Sequence, residues 1–444
     1  MRSITSLLLA CSLFPVAAHA NDLLRIYDLA ARNDAVIAAA AHARDAATEA
    51  KPQALAAVLP QLNASYGKER TYEDSKYGNP LPPSGSNQYT SSGLSVTLNQ
   101  TLFDLGAFMS LARSDDQSAL AIAGYQATEQ GLILRTVSAY FNVLSALDNL
   151  RSSEAQKRAV EQQLEQSQKR FEVGLSAITD VQEAQARYDL ASAQAISDQQ
   201  SLSSAKESLA EITGMPVSTL QSLQEDFPLP SPDPANVDTW VKNAEASNYD
   251  VLMAQLTAEI ARRTVNIAWS KHLPTLGLQG QYSDNERGGN SSVEQTQKVI
   301  GAQITIPIFS GGATQSVIRQ ADYTYQQRLS ELEGKKRSTQ TQTRNAYQGV
   351  LTGAARVKAL KQAVVSSGTA LDASQMGLQV GARTSIDVLN AQQQLYSAQR
   401  DYAKSRYDYL LSVLNLKAAA GKLTVRDLGE VDRLLVTNTA ALQP

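Results

Sequence analysis

Arg170-Phe-Glu-Val-Gly-Leu-Ser-Ala-Ile-Thr-Asp-Val181 is echoed 207 residues later, where Val380-Gly381 is again followed by five residues and then Asp387-Val388. The same offset carries Ala184-Gln185 onto Ala391-Gln392 and Gly214 onto Gly421. Further out, Phe103-Asp104 maps onto Phe309-Ser310 at an offset of 206, and Leu59-Pro60 onto Leu273-Pro274 at 214. Small drifts of offset are what loops of unequal length produce. One structural unit has been duplicated in tandem.

Each copy reads helix, hairpin, very long helix, turn, helix. From Leu105 to about Phe171 there is no proline and Ala, Leu, Gln, Glu and Ser dominate; Thr314 to about Leu378 repeats this. At ~1.5 Å per residue, each such helix would run on the order of 100 Å, which is coiled-coil length. Shorter helices at 22–58 and about 180–213, and at about 236–271 and 388–420, reach a similar length if stacked in pairs. Alternation of apolar and small polar residues marks strands at Leu62–Tyr66, Leu94–Asn99, Leu276–Gln279 and Ile300–Ile308. The pattern suits a half-buried strand or a lipid-facing barrel strand equally well. Gly, Ser, Asn and Pro between Lys68 and Ser92, and between Asp284 and Lys298, read as exposed hairpin loops.

The boundaries follow. Residues 1–20 read as a signal peptide, 21–214 as the first repeat with its hairpin at about 61–103, and 215–235 as a Pro-rich linker. Residues 236–421 form the second repeat with its hairpin at about 275–309, and 422–444 a tail expected to join the linker in an equatorial belt.

The leader has Arg2, an apolar stretch and the small-x-small site Ala18-His19-Ala20. A lipidation box at Leu8-Leu9-Ala10-Cys11 is the competing reading. Cleavage after Ala20 removes the only cysteine and leaves 39 basic against 43 acidic residues, a net charge of −4. That excludes a nucleic-acid footprint and leaves neither disulfides nor a thiolate metal site. No mature segment approaches 18 consecutive apolar residues, so only a closed barrel would place this chain in a membrane. Four strands leave two open edges. Three chains would close a twelve-strand barrel, although a dimer closing eight strands satisfies the same arithmetic.

These features converge on a family. Thr136-Val-Ser-Ala-Tyr-Phe-Asn-Val-Leu144, the stretch at 170–181, Ala382-Arg-Thr-Ser-Ile-Asp-Val-Leu389 and Pro307-Ile-Phe-Ser-Gly-Gly312 resemble the TolC-like outer membrane factors of Gram-negative bacteria. The resemblance covers nearly all of the mature chain. It implies a mainly α fold with a membrane β-barrel: a homotrimer whose 12-strand barrel continues into a 12-helix periplasmic coiled-coil tunnel. It further implies no catalytic activity and no cofactor. Implied partners are a periplasmic adaptor and an inner-membrane pump or ABC exporter, with outer-membrane lipid around the barrel. The implied task is passive exit in multidrug efflux or type I secretion.

The resemblance also assigns roles at the two turns. Val173, Gly174, Leu175, Ser176 and Ala177, with Val380, Gly381 and Ala382, would be the tips that contact the adaptor. Arg383 of the second turn would latch onto Thr179 and Asp180 of a neighbouring first turn, and Asp387 would form a carboxylate ring at the mouth. Two positions depart from the pattern: Leu378 replaces a tyrosine of the lock, and Asn390 replaces a second ring aspartate. The lock is then weaker or differently built.

Helix capping is the plainer reading of the same residues. Gly174 and Gly381 suit the left-handed position after a helix, Thr179 with Gln182 resembles a capping box, and Asp180 and Asp387 suit helix starts. Ser203-Ser-Ala-Lys206 fits an acyl-transfer pattern without its partner motifs, and His42, His272, Trp240 and Trp269 read as structural. Tyr66 and Tyr282 suit a membrane interface. A periplasmic adaptor would carry one helical hairpin and a lipoyl-like domain, and a hydrolase would need a nucleophile–base pair that cannot be assembled here.

Overall fold

The computed structural model describes residues 23–76, 85–288 and 292–441, so the expected leader lies outside the described residues. The first repeat runs α1 (Leu23–Asn33), α2 (Ala35–Thr48), α3 (Ala50–Ala56), β1 (Gln61–Ser75), β2 (Gly85–Phe103), α4 (Leu105–Glu172) and α5 (Ile178–Thr213). After β3 (Thr219–Leu223) come α6 (Val237–Ser247), α7 (Tyr249–Ser270), β4 (Thr275–Gly288), β5 (Val293–Thr305), α8 (Ala313–Gln379) and α9 (Ser385–Ala419). Then follow α10 (Val425–Asp432) and β6 (Leu435–Ala441).

The long helices α4 and α8 have 68 and 67 residues, about 100 Å each at ~1.5 Å per residue. No described helix is long and apolar enough to cross a membrane. The single helix expected over 22–58 is instead three: it is interrupted at Glu49 and at Asp34, which caps α2 through its carboxylate to the Ile37 N–H at 2.8 Å. The one expected over 236–271 is likewise split at Asn248, whose side chain caps α7. Both breaks meet a helix end of their own repeat. The Asn33 amide donates to the Thr213 carbonyl at 2.9 Å, and the Asn248 amide to the Ala419 carbonyl at 3.0 Å. The short helices are thus stacked against α5 and α9 by the same side-chain device, used twice.

The four strands form one antiparallel sheet in the order β1-β2-β4-β5. They are longer than their apolar alternation: β1 and β2 pair from Gln61–Asn99 to Ser75–Gly85, and β4 and β5 continue to Arg287–Val293. Segments read as hairpin loops therefore belong largely to strands, since backbone pairing needs no apolar pattern where a sheet leaves the lipid band. At its other end β5 stops at Thr305; Ile306 and Ile308 flank Pro307, which cannot donate to a ladder, and lie outside the strand.

The register sorts the two faces. Directly paired residues share a face, so one row reads Leu62, Leu98, Gly280, Ile300 and the next Ala64, Val96, Tyr282, Lys298. The alternate rows on the other face read Gln61, Asn99, Gln279, Gly301 and Asn63, Thr97, Gln281, Val299. One face is predominantly apolar and the other is lined with amides and hydroxyls, as a barrel wall between lipid and water requires. β1 and β5 are the sheet's edges, and β5 is exposed along its whole length in the single chain.

The linker and the tail meet midway along the helices, where β3 pairs antiparallel with β6. Tyrosines pin the linker there: Tyr140 donates to the Gln221 carbonyl at 2.9 Å and Tyr409 to the Pro230 carbonyl at 2.7 Å. The largest core lies beneath, with Tyr140, Phe141, Leu144, Tyr409 and Leu414 almost fully buried. Trp240 packs into this core, whereas Trp269 is half exposed in the single chain.

Candidate functional site: the helical tips

Sheet and tips lie at opposite ends of the long helices, because α4 and α8 each begin beside the barrel and end at a turn. The first turn spans 173–177. Gly174 has φ +75°, its N–H donates to the Phe171 carbonyl at 2.9 Å, and the Leu175 N–H reaches the Arg170 carbonyl at 2.7 Å. The second turn repeats the device: Gly381 has φ +76° and the Ala382 N–H donates to the Gly377 carbonyl at 2.7 Å. Both are left-handed glycine caps, which a side chain at those positions would strain. Each turn leaves apolar side chains in solvent; Leu175 is 70% exposed and Val380 79% exposed. Ser176 donates back to the Ser167 carbonyl at 3.4 Å.

Beyond the glycines the turns diverge. The helix α5 starts at Ile178 with Ala177 as its cap, so Thr179 already lies inside the helix and the capping box expected with Gln182 does not form. The box forms in the second turn, where Thr384 caps α9. Asp387 accepts from the Thr384 N–H at 2.9 Å and from its hydroxyl at 2.8 Å, and the Asp387 N–H donates to the Thr384 hydroxyl at 3.2 Å. Hydrogen bonds from the Thr384 backbone and side chain, with the nearby Arg383 charge, hold the Asp387 carboxyl below the usual carboxylate range.

Within one chain no hydrogen bond or ion pair joins Arg383 to Thr179 or Asp180. Arg383 instead lies back over α8, where a Cβ on Gly377 would fall 2.5 Å from its Cγ. Asp180 sits in the first turn of α5 with its N–H bonded to the Ala177 carbonyl at 3.1 Å. Asn390 is engaged: Arg187 of α5 donates to its side-chain oxygen at 3.3 Å and to that of Gln393 at 2.8 Å. Gln163 of α4 donates to the Ser385 hydroxyl at 3.0 Å. Neither Arg187 nor Gln163 stood out in the sequence. Only the Glu183–Arg187 spacing of four residues was visible there, and it says nothing of a second helix.

Among the described residues, no group of three or more His, Cys, Asp or Glu side chains is placed to hold a metal ion. The chain matches the family model described as outer membrane efflux protein over residues 26–215 and 240–422, a match to each repeat separately. It is 36% identical over 421 residues to outer membrane protein TolC of Vibrio cholerae, covering 94% of each chain. It is 32% identical to the alkaline protease secretion protein AprF of Pseudomonas aeruginosa, over 93% of this chain and 86% of that one. Its fold is shared with the outer membrane protein VceC of Vibrio cholerae at a TM-score of 0.72 and 21% identity, over 90% of this chain and 96% of that one. Two-faced sheet, paired 100 Å helices, doubled unit and matched sequence agree: the chain belongs to the outer membrane efflux protein family, whose members are outer-membrane channels.

Proposed function

We propose that this protein is the passive exit duct of a tripartite efflux or type I secretion machine, docking a periplasmic adaptor and an inner-membrane pump or ABC exporter through its helical tips. The observation that carries this reading is the continuity of a two-faced sheet with helices about 100 Å long, a length on the scale of a compartment rather than a domain. Three chains supply twelve strands and match the trimer of the family. Similarity to a protein named for alkaline protease secretion supports protein cargo alongside small molecules. The exposed Val173, Leu175 and Val380 offer apolar anchors at the point furthest from the membrane, and Gly174, Ser176, Ala177, Gly381 and Ala382 shape the turns that present them.

Arg383 would close the mouth by reaching Thr179 and Asp180 of an adjacent protomer, since within its own chain it reaches neither. A guanidinium donates to a carboxylate and a carbonyl at once, which suits a latch. Arg383→Ser should raise single-channel conductance of assembled trimers in planar bilayers. Leu175→Asp with Val380→Asp should abolish co-purification of adaptor while sparing the trimer. Retained adaptor with this double variant would refute the docking role.

A further inference from the structure

We infer that Arg187 is a gate-positioning residue: it ties the second tip hairpin, α8–α9, to the first, α4–α5, within each protomer. The inference rests on the reading of the tips as the duct's constriction. All three guanidinium nitrogens are committed. The Nε bonds Glu183 one turn back on α5 at 3.0 Å, and the two terminal nitrogens cross to Gln393 and Asn390 on α9. Asn390 and Gln393 are three residues apart and so lie on one face of α9, at the spacing that a planar fork spans. Glu183 orients the fork through a charge-assisted bond, leaving its terminal N–H groups to grip the facing helix.

Direct packing of α9 on α5 is sparse, because α9 meets the first hairpin mainly through α4. Toward the tip, Val160, Leu164, Ala184 and Leu389 form a small buried cluster. Beside this cluster lies a cavity of about 210 Å³, whose lining also includes Gln156, Leu190, Gln194 and Gln393. Arg187 lines this cavity together with Val160 and Leu389 of the cluster. Among the described residues it provides the side-chain hydrogen bonds that join α5 to α9. The bonds from Gln163 to Ser385 and from Tyr396 to the Ala155 carbonyl still join α9 to α4, so loss of the tie should loosen the second hairpin against the first rather than detach it.

The tie also sets what Asn390 does. A carboxylate there would meet Arg187 as an ion pair and tighten the closed mouth. A free ring position would behave oppositely, with three added carboxylates drawing in cations. Conductance of the full-length trimer in planar bilayers separates these outcomes, using Arg187→Ala, Asn390→Asp, Arg383→Ser and, as control, Gln185→Ala, whose amide bonds only Asp189 on its own helix. Arg187→Ala should shift the open-to-closed ratio roughly tenfold toward open, about 1.4 kcal/mol. Asn390→Asp should lower conductance below the parent without strengthening block by trivalent cations. If Arg383→Ser opens the channel while Arg187→Ala matches the parent and Gln185→Ala, the tie is refuted and the constriction stands. If neither arginine variant changes conductance, the constriction fails and the tie with it. Should Arg187→Ala not assemble, Asn390→Asp decides alone: higher or unchanged conductance refutes the tie.

Discussion

The Thr384 hydroxyl and the Asp387 carboxylate bond each other and each other's backbone N–H, at 2.8 to 3.2 Å. One carboxylate oxygen of Asp387 thus accepts both Thr384 bonds, and the other accepts none among the described residues. The first turn has Ala177 at the equivalent place and no such box. The repeat has kept the backbone of the turn and its aspartate twice, as Asp180 and Asp387, and placed the capping threonine once.

On the proposed reading of the mouth, Asp387 would have two separable duties. Asp387→Asn in an assembled trimer should reduce cation selectivity and relieve block by trivalent cations added from the periplasmic side, because three carboxylates around a mouth are lost. At ~4 Å a like-charged pair costs roughly 1 kcal/mol in bulk water and more at lower dielectric, so such a ring recruits counter-ions. Higher salt should weaken the effect. Because the folded carboxyl titrates below its ordinary 3.8, its stabilising part is fully present above that value and is lost as pH falls through the depressed one. Unchanged selectivity and block in Asp387→Asn would reduce the residue to a helix cap.

Glycines that look equivalent in the repeat should respond differently to alanine. Gly174 has φ +75° with nothing within 4 Å of an added Cβ, so Gly174→Ala should cost only the left-handed strain, roughly 1–2 kcal/mol. Gly421 has φ +67°, and its Cβ would fall 2.2 Å from the Ser247 carbonyl oxygen. Gly421→Ala must also displace backbone at the α6–α7 junction. Thermal melting followed by helical circular dichroism should show a markedly larger loss for Gly421→Ala; equal losses would contradict the close approach.

Beneath the belt, the Tyr407 hydroxyl donates to the Asp148 carboxylate at 2.7 Å. Burial raises the Asp148 pKa, with the Tyr407 bond and the Arg406 and Arg151 charges opposing it, and burial also raises that of Tyr407. A carboxyl raised on folding contributes stability below its unfolded pKa and loses it as pH rises through the folded value. Tyr407→Phe should therefore destabilise the protein at neutral pH by about 1 kcal/mol, the loss of one hydrogen bond to a part-buried carboxylate. Asp148→Asn keeps an acceptor and removes the buried charge, so it should be neutral or stabilising there, and its advantage should shrink on acidification. Melting temperatures across pH test both.

Much of this was legible in sequence for identifiable reasons. The glycine turns could be located because only a left-handed position explains Gly174 and Gly381 recurring after long proline-free stretches. The long helices and the starts of β1 and β4 could be read because Pro60 and Pro274 end what precedes them. The strand tips were hidden, since Glu69 to Ser75 pair through backbone and carry no apolar alternation. The helix breaks at Asp34 and Asn248 were hidden because a capping Asp or Asn inside an alanine-rich stretch looks like any polar helix residue. The box was assigned to Thr179 instead of Thr384 because both turns carry a threonine, and the choice rests on where the helix begins. Arg187 was hidden for another reason: its partners on α9 are more than 200 residues away.

The most direct test is the assembly state of the outer-membrane protein extracted in mild detergent and measured by native mass spectrometry. A four-strand sheet whose edge strand β5 is exposed along its length must close through other copies. A trimer, with twelve strands, is expected. A monodisperse monomer that still inserts into lipid, or a stable dimer, would contradict the duct.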